Sequence, residues 1–287
     1  MSKRAQIGRP GPARRLMNPG EEDPLFRYEY DRGSNYEQDT RLTEALSALL
    51  PERSLVHPDQ RLFQTIHLIT EYAWCAMHYE MRRAAASLRA DDDLLAAQLL
   101  ERAASLGEVT VRAVRILQDH LPQESLLTMR ETFPENTTGL DSPGARNLRR
   151  AATALWREVE AAVARAGLRP RELVSAQGRL APPTDGDRAP ALALVRQALL
   201  RLDDSVAAWK HHHLRMVWSQ LGGHPEATSP TAGSTPARPD LAQARDDLPK
   251  SLRGQSTAGV RAMADRSLFP RLWDAVDETY RDLVGEG

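Results

Sequence analysis

Cysteine is almost absent: the 287-residue chain has one, Cys75. A single thiol excludes an intrachain disulfide framework and fits a reducing compartment, so a cytoplasmic location is expected. Neither charge sign dominates. Lys and Arg number 38 against 39 Asp and Glu, a net charge of −1, with a sequence pI near 6.7. That balance gives no global electrostatic case for nucleic acid or an anionic membrane surface, and neither partner is expected. No apolar run approaches the roughly 20 residues that cross a bilayer. The N-terminus is basic but lacks the apolar core of a signal peptide. Alternating Val, Ile and Thr is missing throughout, so no sheet is expected. No fixed-period repeat is present. What remains is 41 % hydrophobic and 27 % charged, an ordinary globular composition.

Helical spacing fills most of the chain. Residues 1–22 are rich in Pro, Gly and Arg and are expected as a disordered basic arm, with one domain over 23–287. A helix is expected over 59–90, behind Asp59 as a cap, with Leu62, Ile66, Ile69, Ala73 and Met77 on its apolar face. A second runs from about Leu94 to His120, through Leu99, Leu106, Val109, Ala113 and Leu117, and ends at Pro122. Residues 134–144 read as loop and 145–167 as helix, with Leu148, Leu155 and Val159 on one stripe. Residues 170–188 read as a second loop, 189–221 as a long helix, 222–240 as a mobile loop, and about 256–284 as a last helix. The expected fold is all-α, a bundle of long helices.

Two helices carry unusual polar residues. In 189–221, Leu199, Leu202, Val206, Trp209, His213 and Met216 follow one another by 3, 4, 3, 4 and 3. That is one unbroken inward seam, and of the run His211-His212-His213 only His213 lies on it. A buried, hydrogen-bonded histidine is the commoner reason for such a placement. The chemical alternative is an axial ligand, because a single imidazole from a helix in an apolar pocket is how heme iron is held. In 59–90, His67, Glu71, Trp74 and His78 share one face, which reads either as a pocket lining or as a structural network. His67 and Glu71 have zinc-ligand spacing, but no third ligand lies nearby in sequence. Arg130 closes a helix before a loop, where an arginine can fork onto a carboxylate.

Four segments together resemble the tryptophan 2,3-dioxygenase superfamily, heme enzymes with an all-α fold. The likeness covers roughly residues 27–280, with a shortened middle. FQTIHLITEYAWCAMHYEMRRA matches the family helix through Phe63, His67, Glu71, His78, Glu80 and Arg82. MRETFPENTTGLDSPGAR matches a stretch from Arg130 through a turn at Gly139 to Arg146, with one residue inserted. WKHHHLRMVWSQLGGHP matches Trp209, His213 and the Met-Val, Gly and Pro that follow. SLFPRLWDAV matches the C-terminal Phe269, Pro270, Leu272 and Trp273. The chain departs from the family where a Gly-Thr-Gly-Gly-Ser-Ser loop should follow Pro225; it reads Glu226, Ala227, Thr228, Ser229 instead. Of the paired N-terminal tyrosines only Tyr36 is kept, the earlier position being Gly33. Val217 stands where one branch has a heme-linking cysteine.

The resemblance implies a helical bundle enclosing a heme b pocket, with His213 on the iron and Trp209 and Met216 beside the cofactor. His67 is the implied catalytic residue. Arg130, Phe63, Trp74 and Tyr36 are the implied substrate contacts. The implied substrates are an aromatic L-amino acid, foremost L-tryptophan or a substituted tryptophan, and O2 or peroxide. Ring cleavage and 2-oxindole formation are both compatible. A histidine-ligated heme L-tyrosine hydroxylase of a natural-product pathway is the near alternative. A non-catalytic helical-bundle interaction protein is the alternative of another class. The family also implies a homo-oligomer, dimer or tetramer.

Overall fold

A computed structural model of the chain describes residues 13–133, 142–176, 186–221 and 264–285. It is overwhelmingly helical. The chain divides into two compact units, Met1–Thr65 and Ile66–Gly287, with the boundary inside a helix rather than near residue 22.

The first unit corrects one expectation. Strands β1 (Ala13–Leu16) and β2 (Glu29–Arg32) pair antiparallel, so a small sheet exists, and part of it lies in the expected arm. Neither ARRL nor EYDR has a β-branched residue, so propensity could not reveal them. The connection is stitched by side chains instead: Asn18 donates to the Phe26 carbonyl and accepts from the Tyr28 amide, each at 2.9 Å. Two short helices follow, α1 (Asn35–Thr40) and α2 (Leu42–Ser47). The Thr43 side chain, and then the Gly33 and Thr43 amides, hydrogen-bond the carboxyl of buried Glu37 and hold it below the usual carboxylate range.

The second unit is built on four long helices. These are α3 (Gln60–Arg89, from Ile66 onward), α4 (Asp93–His120), α6 (Pro143–Arg165) and α8 (Ala189–Leu221). Shorter α5 (Gln123–Arg130), α7 (Pro170–Ala176) and α9 (Pro270–Val284) complete it. Three boundaries differ from expectation. α6 begins at Pro143, because Ser142 caps it and proline suits a first helical turn. Pro170 opens a short helix rather than a loop, for the same reason. Residues 265–269 are not helical, so the last helix starts at Pro270. The expected loop 222–240 lies outside the described residues.

Contacts fix the helix directions. Arg188 forks onto Asp93 at 2.7 and 2.8 Å, at the start of α8 and α4. Midway, Gly107 faces Ser205; farther on, His212 meets Gln118 at 3.0 Å, and Gln220 donates to the Leu117 and Leu121 carbonyls at 3.1 Å. The pairs advance together, so α4 and α8 run parallel. Likewise Glu71 meets Ser142 and Gly144, while the Leu88 carbonyl meets Arg165, so α3 and α6 run parallel. The turn Ala90–Asp92 makes α4 antiparallel to α3, and Glu80 bridges them to Arg102 at 2.9 Å. The core between them is aliphatic: Met77, Met81, Leu88, Leu99, Leu100, Leu155, Leu192, Leu199 and Leu202 are all fully enclosed.

Two residues of the expected apolar stripes face outward. Ile69 is 38 % exposed and Val109 42 %. Small neighbours take their inward places, Thr70 on α3 and Thr110 on α4, each hydrogen-bonding a carbonyl of its own helix. A small side chain lets helices approach closely, and that gain outweighs the greater hydrophobicity of Ile or Val.

Asp203, buried on α8, anchors the C-terminal segment. It accepts from Ser267 Oγ, the Leu268 amide at 2.5 Å, the Phe269 amide at 3.2 Å and Trp273 Nε1 at 2.9 Å. Replacing it strands several donors, two of them buried amides. Asp203→Ala is expected to cost about 3 kcal/mol or more in urea unfolding, whereas exposed Asp204→Ala should change little.

Candidate functional site

The seam of α8 points inward as its spacing requires. Leu199, Leu202, Val206 and Met216 are buried; Trp209 and His213 are half-buried. The three consecutive histidines have three different surroundings. His211 is exposed. His212 Nδ1 hydrogen-bonds Gln118 Oε1 of α4. His213 stacks on Trp209, with ring centroids 5.1 Å apart and planes 14° from parallel. Trp209 in turn meets the ring of Trp74 on α3 edge-on, at 4.6 Å and 74°. The rings form a file from the α3 side of the bundle to the imidazole.

Burial pushes the His213 pKa down to about 4, and the nearby His67 adds to the effect. Part of the ring still meets solvent, yet protein surrounds it deeply, and depth controls the cost of charging it. His213 is therefore neutral at pH 7, the form of imidazole that can bind a metal. His212 is also shifted down, by burial and then by Arg115 and His211.

The polar face of α3 splits into two roles. His67 is exposed and near enough to help lower the His213 pKa. Glu71, one turn on, holds the N-terminus of α6: Ser142 Oγ donates a short hydrogen bond to Oε1, and the Gly144 amide donates to Oε2 at 3.1 Å. A carboxylate there also complements the helix dipole. A Cβ on Gly144 would lie 2.7 Å from both Glu71 Oε2 and Trp74 Cε3, so only glycine permits this approach. Trp74, 4 % exposed, is thereby wedged between α6 and Trp209.

No protein-family model and no curated protein matches this chain.

The remaining sequence-derived candidates are spread more widely. Arg130 is the half-buried last residue of α5. Arg146 is exposed on α6, one turn past its cap. Met216 is buried one turn beyond His213. Phe63 and Tyr36 belong to the first unit; Phe63 is half-buried and Tyr36 is 71 % exposed. Gly139 and residues 222–240 lie outside the described residues. Among the described residues, no group of three or more His, Cys, Asp or Glu is placed to hold a metal ion. No helix there is long and apolar enough to cross a membrane.

Sequence reasoning missed Gly144. Its signal was the Ser-Pro-Gly triplet, which pairs a cap and a first-turn proline with a residue lacking a side chain. Gly144→Ala is expected to destabilise by about 1–3 kcal/mol, while Gly20→Ala, with open space around it, should be close to neutral. Thermal unfolding of both variants checks this.

His213 also sets a pH dependence. The unfolded chain takes up this proton near pH 6.5 and the folded chain only near 4. Stability from the neutral ring is thus complete above 6.5 and lost as pH falls toward 4, by at most about 3 kcal/mol. Urea midpoints at pH 7, 5.5 and 4.5 should fall less steeply for His213→Leu than for the native chain.

Proposed function

We propose that the protein is a histidine-ligated heme oxygenase acting on an aromatic L-amino acid, foremost L-tryptophan or a substituted tryptophan. One observation carries this reading: the residue singled out by the sequence resemblance as iron ligand, His213, is a neutral imidazole on the inward seam of α8, backed by an indole. A lone imidazole, with no metal-ligand cluster around it among the described residues, would suit heme iron, which the porphyrin already binds through its own nitrogens; it does not suit zinc. The buried Trp209 Nε1 has no acceptor among the described residues, and a bound group bearing carboxylate oxygens would satisfy it.

Heme, when bound, supplies the activation of O2 or peroxide. The chain's own residues do the rest. His213 holds the iron, and stacking on Trp209 fixes the plane of its ring. Trp209 and Met216 exclude water beside the cofactor. His67 exchanges a hydrogen bond with the substrate ring N–H, since neutral imidazole both donates and accepts. Arg130 takes the substrate carboxylate in a charge-assisted fork. Trp74 acts through Trp209 rather than as an open wall, given its burial. The resemblance assigns further substrate contacts to Phe63 and Tyr36, and it implies a dimer or tetramer. L-tyrosine hydroxylation would use the same residues, with peroxide, or O2 and a two-electron reductant, as the oxidant.

A second reading is a non-catalytic helical bundle. The role of Glu71 favours it, because that part of the polar α3 face is wholly engaged in holding α6.

The deciding experiment is an absorption spectrum of the protein expressed with added heme. A Soret band is expected in the native chain and should be lost or strongly shifted in His213→Ala. Titration with L-Trp and L-Tyr should then shift the band with one of them, and Arg130→Ala should weaken that response by at least about tenfold. A native protein that binds no heme leaves the non-catalytic reading.

A further inference from the structure

α6 has five arginines and two glutamates. Both glutamates are engaged by other helices: Glu158 pairs with Arg89 of α3 at 2.8 Å, and Glu160 with Arg271 of α9 at 2.5 Å. Arg165 holds Asp91 at 2.9 Å. Arg146, Arg149, Arg150 and Arg157 remain. All four are exposed, and no carboxylate among the described residues pairs with them. At helical geometry they fall within an arc of about 100°. In a chain of net charge −1, such a stripe is a local surplus, not a reflection of composition. It also has a cost, since like charges three or four residues apart disfavour a helix by a few tenths of a kcal/mol.

The stripe runs into a groove of about 480 Å³. Ala152, Trp156 and Arg157 of α6 line one side, with Glu160 held by Arg271; Leu268, Phe269 and Pro270, at the entry to α9, line the other. Ala152, Leu268 and Phe269 are buried, so the floor is apolar. Trp156 is half-buried, and its Nε1 is buried with no acceptor among the described residues. An apolar recess containing an indole and rimmed by arginine has the anatomy of a protein-recognition hot spot: a place for one anchoring side chain, with charge around it to orient the partner.

We propose that this face docks an acidic segment of a partner protein, which seats one large apolar side chain in the groove while its carboxylates meet Arg146, Arg149, Arg150 and Arg157. A nucleic acid would match the charge, but it would find one half-buried indole, Trp156, over an aliphatic and phenyl floor, where single-strand binders use several exposed rings in succession. The inference does not depend on the heme reading: Arg146, Phe269 and Pro270 lie in segments that carry the family resemblance, but the proposed heme chemistry gives none of the groove or stripe residues a role.

The test uses the full chain and a fluorescein-labelled, Asp/Glu-rich peptide with one central leucine, followed by polarisation. Saturable binding is expected. It should weaken by at least about tenfold when the four arginines are changed together to glutamine. It should also weaken clearly when the peptide's leucine is replaced by serine. The glutamine variant is fully surface-exposed in its changes and should keep the native circular dichroism. Absent binding, or binding indifferent to the arginines or to the leucine, overturns the proposal. So does tighter binding of a labelled oligothymidylate than of the peptide, which would make the stripe a general polyanion surface.

Discussion

Everything around His213 depends on how closely α4 and α8 approach. At their crossing, a Cβ on Gly107 would lie 2.8 Å from the Ser205 Cβ and closer still to its hydroxyl. Only a glycine opposite a small residue allows that contact. Once made, it sets the register of two long parallel helices, and the other pairs follow from it. Arg188 reaches Asp93 at one end, and Gln220 reaches the last carbonyls of α4 at the other. His213 is two turns beyond Ser205, so its depth follows from the same contact. The low pKa of the ring is first a consequence of packing, to which His67 adds.

Polar residues inside the second unit act chiefly as connectors. Asp203 collects the donors that precede α9, and Glu71 collects those that open α6. Each satisfies helix-terminal amides that would otherwise be buried without partners, which is where a long-helix fold is most exposed to cost. Both carboxylates lie on or beside stripes that look functional in sequence. Their hydrogen bonds explain them structurally.

The long helices were legible in sequence, with α8 matching at both ends and α3 and α4 within a residue, because apolar spacing near 3.6 persists over many turns and prolines mark several ends. The hairpin was not, because its strands lack β-branched residues and its loop is held by one asparagine. The inward position of His213 was also legible, from an unbroken 3-4-3-4-3 seam. The meaning of Glu71 was not, since its partners, Ser142 and Gly144, are more than 70 residues away in sequence. Nor could spacing show that Ile69 and Val109 would yield their places to threonines.

The sequence by itself determined that the chain forms long amphipathic helices and that one histidine of three turns inward, because periodicity is a local property of consecutive residues. Only the tertiary structure decided that burial lowers the pKa of this histidine, that it stacks on Trp209, and that four arginines of α6 pair with no carboxylate among the described residues. Those outcomes depend on which helix comes to lie beside which, and that choice is made by close contacts at Gly107 and Gly144 between segments distant in the chain.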